Sequence, residues 1–283
     1  MEIRNLKNIS VEELLSVFNE SFSDYIVPFH LTSEQLKSKI SAEKIDLDLS
    51  VGAFQSEKLV GFILRAEKEV NNQQIIYNAG TGVIREYKGQ GLVRKMYDHI
   101  LHSLNRKDAN ILTLEVIVGN DPAIRAYENL GFKTVRKLLC FNGIINIEEK
   151  QSDILLVEIE NFEWDLFQSF WEIEPSWQSS KEVLEGIRKD CMILGAYMEG
   201  RLVGYTIYNP VIRKVYQIAV DKKYRRQGIG SQLLNRIGKD CKGQAVSFNN
   251  VDDSSASTAL FLESTAGLKN WLSQFEMKKN IEY

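Results

Sequence analysis

Apolar and polar residues follow the same order in two stretches that lie about half a chain length apart. The segments SVGAFQSEKLVGFILRAE, at residues 50–67, and ILGAYMEGRLVGYTIYNP, at residues 193–210, each hold an apolar run, a polar turn and a second apolar run. Leu-Val-Gly opens the second run in both segments. Apolar runs around a short polar turn are typical of a β-hairpin, so the pattern predicts two hairpins.

Helix starts are predicted upstream of each hairpin by capping boxes. In such a box a serine or threonine, together with a Glu or Gln three residues later, satisfies the first backbone N–H groups of a helix. The candidates are Ser10 with Glu13, Thr32 with Gln35, and Ser179 with Glu182. We therefore expect helices before the first hairpin and their counterpart before the second.

Three features follow each hairpin in the same order: a strand-like run, a glycine turn and an amphipathic helix. The strand-like run ends one residue after a valine in the first half and at a valine in the second. NAGTGVI precedes YKGQGLV at residues 87–93, and VYQIAV comes before YRRQGIG at residues 224–230. Apolar residues then recur at helical spacing after both turns. Two long halves with the same order indicate a duplicated domain and not a solenoid.

The order of elements predicts an α/β fold with a mixed sheet in each half. Each half should run helix, helix, hairpin, strand, glycine turn, helix, strand, helix, strand. We expect domains at residues 1–147 and 148–283, joined near 146–152, where the polar stretch IEEKQS follows a predicted strand. A chain of 283 residues suits two domains better than one.

Composition and charge narrow the class of partner. A formal net charge of −3 gives no general attraction to nucleic acid or to anionic membranes. No apolar run is long enough to span a bilayer, and the polar N-terminal stretch lacks the apolar segment of a signal peptide. The widely spaced Cys140, Cys191 and Cys241 predict free thiols in a reducing compartment. We therefore expect a cytoplasmic protein that binds neither nucleic acid nor membrane.

Two histidines, His99 and His102, have the spacing of neighbours on one helix face. Such a pair could hold a metal ion, but the sequence offers no third ligand near them. An ordinary helix face is the favoured interpretation, and no metal site is expected.

The turn YRRQGIG has the chemistry of a phosphate site. A glycine turn that opens a helix exposes backbone N–H groups at the positive end of the helix dipole. Arg225, Arg226 and Gln227 add two cations and a donor around these groups. A lone G-x-G is more often only a strand-to-helix turn, and the spacing matches neither G-x-G-x-x-G nor the Walker motif. The turn by itself therefore leaves a purely structural role open.

A second motif, NDPAIRAYENLGF at residues 120–132, follows the predicted strand NILTLEVIV. Asp121 is a candidate N-cap, Pro122 suits the first helical turn, and Gly131 is a candidate helix stop. The two motifs together resemble those of the GNAT superfamily of acetyl-CoA-dependent N-acetyltransferases. The resemblance covers essentially the whole chain as two tandem copies. It implies a mixed, mostly antiparallel, twisted sheet flanked by helices in each domain.

In that superfamily the signature Gln/Arg-x-x-Gly-x-Gly/Ala binds the pyrophosphate of coenzyme A. The second half matches it in full, whereas the first half has lysine at the first position and the β-branched Val93, which is expected to crowd the loop, at the last. The resemblance implies contacts with acetyl-CoA, as cosubstrate, from Ile218, Ala219, Val220, Arg225, Arg226, Gln227, Gly228, Ile229 and Gly230 in the second half, and from Val83, Lys88, Gly89, Gln90, Gly91 and Asn120 in the first.

The later motif of the superfamily, Asn-x-x-Ala-x-x-x-Tyr-x-x-x-Gly-Phe, is complete in the first half, with Tyr127 as its tyrosine. In the second half Leu262 or Glu263 stands where the tyrosine is usual. The better phosphate turn and the better tyrosine therefore lie in different halves. We expect one catalytic half and one degenerate half.

The implied reaction moves an acetyl group from acetyl-CoA to a primary amine of a small-molecule or peptide acceptor. The resemblance makes Tyr127 the general acid for the leaving thiolate, although a helical tyrosine can also serve only packing. Glu115 is the candidate general base, although a strand carboxylate more often faces solvent. A backbone N–H on the strand before the turn, at Val83 or Val220, would stabilise the oxyanion.

Other interpretations of these residues stay open. Gln217 and Asp252 flank the presumed second site, and neither is a convincing base. An aromatic and acidic stretch could form a pocket for a cationic amine or could simply pack and be solvated; it contains Trp171, Glu172, Glu174 and Trp177. The degenerate motifs also fit a protein that binds or senses acyl-CoA without turnover. The sequence specifies neither the acceptor nor the oligomeric state.

Overall fold

The computed structural model describes residues 1–27, 29–70, 72–104, 109–148 and 153–281 of the chain. Their packing divides the chain into unit 1, made of Met1–Val135 and Glu276–Tyr283, and unit 2, made of Arg136–Phe275. The limits 1–147 and 148–283 divide the duplicated sequence and stay a prediction. Their expected junction includes residues 149–152, which lie outside the described residues.

Unit 1 is built on a sheet against which α1 and α3 pack. Its elements are β1 (Glu2–Asn5), α1 (Val11–Phe22), α2 (Ser33–Ala42), β2 (Val51–Gln55), β3 (Lys58–Val70), β4 (Gln73–Val83), α3 (Leu92–Ser103), β5 (Ala109–Ile117) and α4 (Asp121–Glu128). The strand order is β1-β2-β3-β4-β5, followed by the end of β12 (Lys269–Ile281). Neighbours from β1 to β4 are antiparallel, whereas β4 and β5 are parallel.

Unit 2 repeats this arrangement. Its elements are most of β6 (Lys133–Gly143), then β7 (Leu155–Glu158), α5 (Trp164–Ser169), α6 (Lys181–Gly186), β8 (Met192–Met198), β9 (Arg201–Asn209), β10 (Lys214–Val220), α7 (Ile229–Asp240), β11 (Val246–Asp252), α8 (Ala256–Leu260) and the start of β12. The strand order is β6-β11-β10-β9-β8-β7. Only β10 and β11 are parallel in this series. The predicted mixed, mostly antiparallel sheet with helices is confirmed in both units.

Both predicted β-hairpins are present, as β2–β3 and β8–β9. The two turn residues of each hairpin have positive φ: 47° and 68° at Ser56 and Glu57, and 48° and 76° at Glu199 and Gly200. Left-handed backbone at both positions is the type I′ turn, whose twist matches that of the paired strands. The two hairpins therefore share their turn geometry as well as their pattern.

Two of the three predicted capping boxes lie at helix starts, but only one is complete, because the Glu13 carboxylate accepts from the Leu59 N–H at 3.1 Å. Ser10 Oγ accepts from the Glu13 N–H at 3.1 Å before α1, and Thr32 and Gln35 make the reciprocal pair of bonds before α2. The third prediction is wrong by one residue. Ser179 belongs to a preceding 3-10 turn, and the residue before α6 is Ser180, whose side chain is buried and makes no capping bond.

The predicted order omits two short edge strands and misplaces one cap. β1 pairs with β2 and β7 with β8, and each has only four residues, too few to show the alternation that predicts a strand. The N-cap of α4 is Asn120, whose Oδ1 accepts from the Ala123 N–H at 3.3 Å. Asp121 is therefore the first residue of the helix and not its cap.

The helices after the two glycine turns bury equivalent faces. The buried residues are Leu92, Met96, Tyr97 and Ile100 in α3, and Ile229, Leu233, Leu234 and Ile237 in α7. Their spacing is the helical period seen in the sequence. Full burial of one such side chain contributes about 1.5–3 kcal/mol. The core thus holds the start of each helix, and with it the glycine turn, in place.

Candidate active site

The parallel strands β10 and β11 of unit 2 form a fork. They pair as far as Val215 and Phe248 and then separate. The register of β10 against β9 shifts after Val215, and that of β11 against β6 shifts after Phe248. Asn250 in β11 has a left-handed φ of 61°. Because bulges bend a strand and re-aim its side chains, these two irregularities open the fork.

The fork leads into a cleft of about 960 Å³ within unit 2. Its walls include the separated ends of β10 and β11, the glycine turn, the start of α7 and residues that follow α5. Clefts of about 300–1,000 Å³ are typical of small-molecule and cofactor sites. All residues predicted to contact acetyl-CoA in the second half line this cleft: Ile218, Ala219, Val220, Arg225, Arg226, Gln227, Gly228, Ile229 and Gly230.

The glycine turn of unit 2 exposes backbone donors at the start of α7. Gly228 is the N-cap with a φ of 87°, and a Cβ built on it would meet nothing within 4 Å. The N–H groups of Ile229, Gly230 and Ser231 have no partner inside the helix. An anion can therefore approach these donors across the open glycine, at the positive end of the helix dipole.

The two arginines of this turn have different surroundings. Arg225 donates through Nε to the Val220 carbonyl at 3.1 Å, and its guanidinium forms an ion pair with Glu172. Arg226 is exposed and has a φ of 63°, which costs a residue other than glycine about 1–2 kcal/mol. Arg225 therefore fixes the turn to the segment after α5, while Arg226 is the cation free to meet a phosphate.

Arg226→Gly is expected to separate backbone strain from ligand binding. Glycine relieves the left-handed conformation, so the free energy of unfolding should rise by about 1 kcal/mol. Loss of the cation should weaken acetyl-CoA binding about tenfold. Denaturant unfolding and isothermal titration measure the two effects. Arg213→Gly, at a φ of 54° outside the cleft, is the matched control and should change stability alone. Unchanged affinity of Arg226→Gly would show that the phosphate does not reach this side chain.

Gly230, the last glycine of the signature, makes room for a ring. A Cβ at Gly230 would lie 3.1 Å from Phe261, so the missing side chain permits close packing between α7 and the segment after α8. In unit 1 Val93 occupies the same position, one residue after the start of α3, and is half-buried on that helix. The valine therefore stands in the helix and not in the turn itself.

The glycine turn of unit 1 has the same backbone form. Gly89 and Gly91 have φ values of 76° and 73°, matching the left-handed pair in unit 2. Lys88 forms an ion pair of 2.7 Å with Asp24, which follows α1 as Glu172 follows α5. Nearby, Asn120 Nδ2 donates to the Tyr25 hydroxyl at 3.0 Å. The turn of unit 1 is thus tied to the segment after α1 in the same way as its counterpart.

Tyr127 of unit 1 is buried, with 8% of its surface exposed. Burial raises the pKa of Tyr127 to about 12. The side chains of Thr81 and Asn78 act on its hydroxyl to lower the pKa, and Asn78 Nδ2 donates to Thr81 Oγ1 at 2.7 Å. Asn78 Nδ2 also donates to the Tyr97 hydroxyl at 2.7 Å. A cavity beside Tyr97 and Asn78 has a volume of about 10 Å³, the lower limit for one water.

Glu115 and Val83, the other residues predicted in unit 1, lie on neighbouring parallel strands. Glu115 is half-buried and its carboxylate accepts from the Tyr77 hydroxyl at 2.5 Å. Burial raises the pKa of Glu115 to about 7, against the opposing effect of this hydrogen bond. Gln90 Nε2 donates to the Glu86 carbonyl at 3.1 Å and so lies back on its own turn.

Tyr127→Phe tests the predicted acid directly. The hydroxyl lies in a buried polar cluster with Thr81 and Asn78, so its loss should lower the free energy of unfolding by about 1–2 kcal/mol. If the chemistry takes place in unit 2, kcat should change less than about twofold, whereas loss of a general acid costs about 100-fold or more. Steady-state rates and denaturant unfolding of the same preparation distinguish the two roles.

The second half has leucine in place of this tyrosine. The Phe132 N–H donates to the Tyr127 carbonyl at 3.0 Å, and the Leu268 N–H donates to the Leu262 carbonyl at the same distance. Leu262 is fully buried. The segment Phe261–Thr265 is a π-helical turn, which holds one residue more than an α-helical turn. That extra residue explains why counting back from the glycine in the sequence could not choose between Leu262 and Glu263.

A series of side-chain hydrogen bonds lies at the fork, and the sequence did not predict it. Trp171 Nε1 donates to the Tyr205 hydroxyl at 2.7 Å, and Tyr205 donates to Gln217 Oε1 at 2.6 Å. Gln217 Nε2 in turn donates to the Ser179 carbonyl at 2.6 Å. All four residues line the cleft. Gln217 corresponds to Gly80 in unit 1 when both are counted from the glycine turns. A polar side chain in one half at a position that is glycine in the other is the sequence feature that could have pointed to Gln217.

The structure separates the other residues named as candidates. Trp171 and Glu172 line the cleft, whereas Trp177 is buried and Glu174 is exposed outside it. Burial acts to raise the pKa of Asp252, but hydrogen bonds from Ser254 and Arg136 lower it below its usual value.

Within the described residues, no group of three His, Cys, Asp or Glu side chains could hold a metal ion. Of the helices described, none combines the length and apolar character needed to cross a bilayer.

Comparison with known proteins agrees with this geometry. The family model described as "Acetyltransferase (GNAT) family" matches residues 11–132 and 156–265. A GCN5-related N-acetyltransferase from Sphaerobacter thermophilus shares the fold over 100% of this chain and 96% of its own, with a TM-score of 0.76 and 15% identity. A tandem GNAT protein from the clavulanic acid biosynthesis pathway does so over 99% and 98%, with a TM-score of 0.71 and 13% identity.

One relative is similar in sequence over part of its length. N-alpha-acetyltransferase 30 of Schizosaccharomyces pombe is 27% identical over 93 residues, which are 32% of this chain and 61% of that protein. The chain thus matches about three fifths of this relative. The family model, by contrast, matches most of the chain and includes both glycine turns, one in each half. This chain therefore belongs to the GNAT acetyltransferase family.

Proposed function

We propose that this protein is an acetyl-CoA-dependent N-acetyltransferase in which unit 2 binds the cosubstrate and acetylates a primary amine of a small-molecule or peptide acceptor. The observation that carries the proposal is the cleft of about 960 Å³ that joins the fork between β10 and β11 to the glycine turn of α7. The cleft brings a phosphate-type turn and unpaired strand edges together, which is what an extended thioester with a pyrophosphate needs.

The residues of the cleft fit acetyl-CoA at two points. The N–H groups at the start of α7, the open face of Gly228 and the exposed Arg226 suit a pyrophosphate. The Asp221 N–H donates to the Val203 carbonyl of β9 at 2.9 Å. Because successive residues of a strand direct their N–H groups to opposite edges, the Val220 N–H faces the fork. This donor supports the proposed oxyanion site for the thioester carbonyl.

The reaction needs little acid–base assistance at this site. The amine lone pair attacks the thioester carbonyl carbon, the C–S bond breaks, the thiolate of CoA leaves and the amine nitrogen releases its proton to water. A thiol with a pKa of about 8.5 is a good leaving group, so Leu262 in place of the tyrosine is compatible with turnover. Holding the two reactants together supplies most of the acceleration.

Unit 1 is proposed as the supporting, degenerate half. Its Tyr127 is buried in a hydrogen-bonded cluster, and its phosphate turn carries glycine where unit 2 has Arg226. The catalytic roles predicted for Tyr127 and Glu115 remain predictions, which the variants of these residues test. A compartment with reduced thiols suits the three free cysteines, all of them buried.

The alternative is a protein that binds or senses acyl-CoA without turnover. Leu262 favours it, as does the lack of a strong base among the described residues of the lining. Release of CoA thiol from acetyl-CoA, followed with a thiol reagent over a panel of amines and peptides, decides between the two. Release that depends on both amine and protein supports the enzyme. Tight binding of acetyl-CoA without release across the panel supports the sensor.

A further inference from the structure

Four charged side chains line the cleft of unit 2 among the described residues, and two of them neutralise each other. They are Glu148, Glu172, Arg225 and Arg226. Glu172 is ion-paired with Arg225, and Glu148 is exposed. Among the described residues of the lining there is no lysine, histidine or aspartate. The described part of the lining therefore offers a cationic amine no buried carboxylate to replace its hydration.

The hydrogen-bonded chain at the fork is neutral and already complete. Trp171 and Tyr205 donate along it, and the amide of Gln217 both accepts from Tyr205 and donates to the Ser179 carbonyl. Burial raises the pKa of Tyr205 well above its usual value. The chain has no group that takes a proton from an ammonium ion at neutral pH.

Two polar atoms of the lining lack hydrogen-bond partners. Asn250 Nδ2 and Ser176 Oγ are buried without a partner, and the residues are 7% and 2% exposed. Asn250 Oδ1 is engaged by Gln274 Nε2 at 2.8 Å, which leaves the amide nitrogen as the unpaired end. A buried donor without a partner is costly, so this position suits an oxygen acceptor on a ligand.

We infer that the acceptor enters the cleft as a free base: a weakly basic amine with a carbonyl oxygen beside it, as in an α-amino amide. The inference rests on the proposed function and specifies its substrate class. An alkylammonium ion would have to shed its proton before it enters, because the described lining supplies neither a buried carboxylate to pair with it nor a buried base. The lone pair of the neutral amine attacks the thioester carbon, the C–S bond breaks as CoA leaves as the thiolate, and the nitrogen of the new amide releases one proton to water.

The expected preference for an α-amino group over a lysine side chain follows from the pKa values of the two amines. An α-amino group has a pKa of about 7.7–8.0 and a lysine side chain about 10.4, so at pH 7.5 about one third of the first and about one in 800 of the second is neutral. If only the free base reacts, the apparent second-order rate constants should differ about 250-fold at pH 7.5. The ratio should shrink as the pH rises.

The test compares amino acid amides with Nα-acetyl-lysine amide in the thiol-release assay between pH 6.5 and 9.5. We expect the 250-fold preference at pH 7.5, and a rate for each amine that rises tenfold per pH unit below its own pKa. Equal rates, a preference for the lysine amide, or a profile set by one pKa common to all amines would overturn the inference while the proposed function stands.

Calorimetry keeps the inference testable without turnover. Titration of the same amines into the protein saturated with CoA, in two buffers of different ionisation enthalpy, counts the protons released on binding. Release equal to the protonated fraction of the free amine supports entry as a free base. Binding without proton release, or no binding of any amine, contradicts it. This readout holds even if thiol release fails and the proposed function falls.

Asn250→Gly provides the matched variant. Glycine suits the φ of 61° and removes the side-chain amide, together with the Oδ1 that accepts from Gln274, so kcat/KM for amino acid amides should fall about tenfold with unchanged affinity for acetyl-CoA. Lys242 is exposed, lies outside the cleft and has a φ of 54°. Lys242→Gly therefore controls for the change in backbone and should leave kcat/KM and the affinity for acetyl-CoA unchanged. Equal effects of the two variants would remove Asn250 from the acceptor site.

Discussion

Gly228→Val is expected to weaken the binding of acetyl-CoA at least about 100-fold, and Gly91→Val to leave it unchanged. Gly228 caps α7 at a φ of 87°, a conformation that a β-branched residue avoids. A valine side chain would also stand over the N–H donors, in space that is now open. Isothermal titration of each variant gives both the affinity and the number of sites per chain.

Gly228 and Gly91 occupy equivalent positions in the two units, so the effects of the two valine substitutions can be compared directly. Gly91 has a φ of 73°, and a Cβ there also meets nothing within 4 Å. The two substitutions therefore carry similar strain and differ in the unit they affect. One site per chain, lost with Gly228→Val alone, supports unit 2 as the binding half. Loss with Gly91→Val would move the cosubstrate to unit 1 and return Tyr127 and Glu115 to the centre of the mechanism.

Glu115→Gln is expected to raise the free energy of unfolding at pH 8 by about 3 kcal/mol, with little change at pH 4.5. Burial raises the pKa of Glu115 from 4.5 to about 7. Between these values the folded state binds more protons than the unfolded chain, so stability falls as the pH rises through this window. Glutamine stays neutral and can still accept the bond from Tyr77, so it removes the penalty.

Urea unfolding of both proteins between pH 4.5 and 8 measures this difference. Glu12→Gln, at an exposed position of α1, is the control for the removal of a carboxylate at the surface. A constant difference between wild type and Glu115→Gln at all pH values would contradict the assigned protonation. Turnover measured on the same variant tests the predicted base, because loss of a general base costs about 100-fold or more.

The architecture could be predicted because the two halves repeat the same local patterns. The hairpins, capping boxes and glycine turns are local features, and residues close in sequence determine each of them. The sequence did not predict the short edge strands β1 and β7. They are strands because they pair with β2 and β8, and not because of their own residue pattern. The family and the mixed sheet were therefore accessible from the sequence alone.

The state of the two sites depended on long-range packing and could not be predicted in the same way. The fork opens where two bulges face each other, and no residue type in VYQIAV or SFNNVD specifies both. Tyr127 fits the family pattern, yet its burial depends on Asn78, Thr81 and Tyr97 around it. The π-helical turn that places Leu262 shifts the register by a residue that counting along the sequence does not detect.

The division of the chain between the units has a consequence for its synthesis. Unit 2 is continuous from Arg136 to Phe275, whereas the residues from Glu276 onward, which include the end of β12, belong to unit 1. On the ribosome the later half is complete before the earlier one, because the final residues of unit 1 emerge last. A protein cut at the junction of the sequence repeat would leave its N-terminal fragment without this strand. Expression of the separate halves should therefore follow the packing units, with residues 276–283 joined to the N-terminal segment.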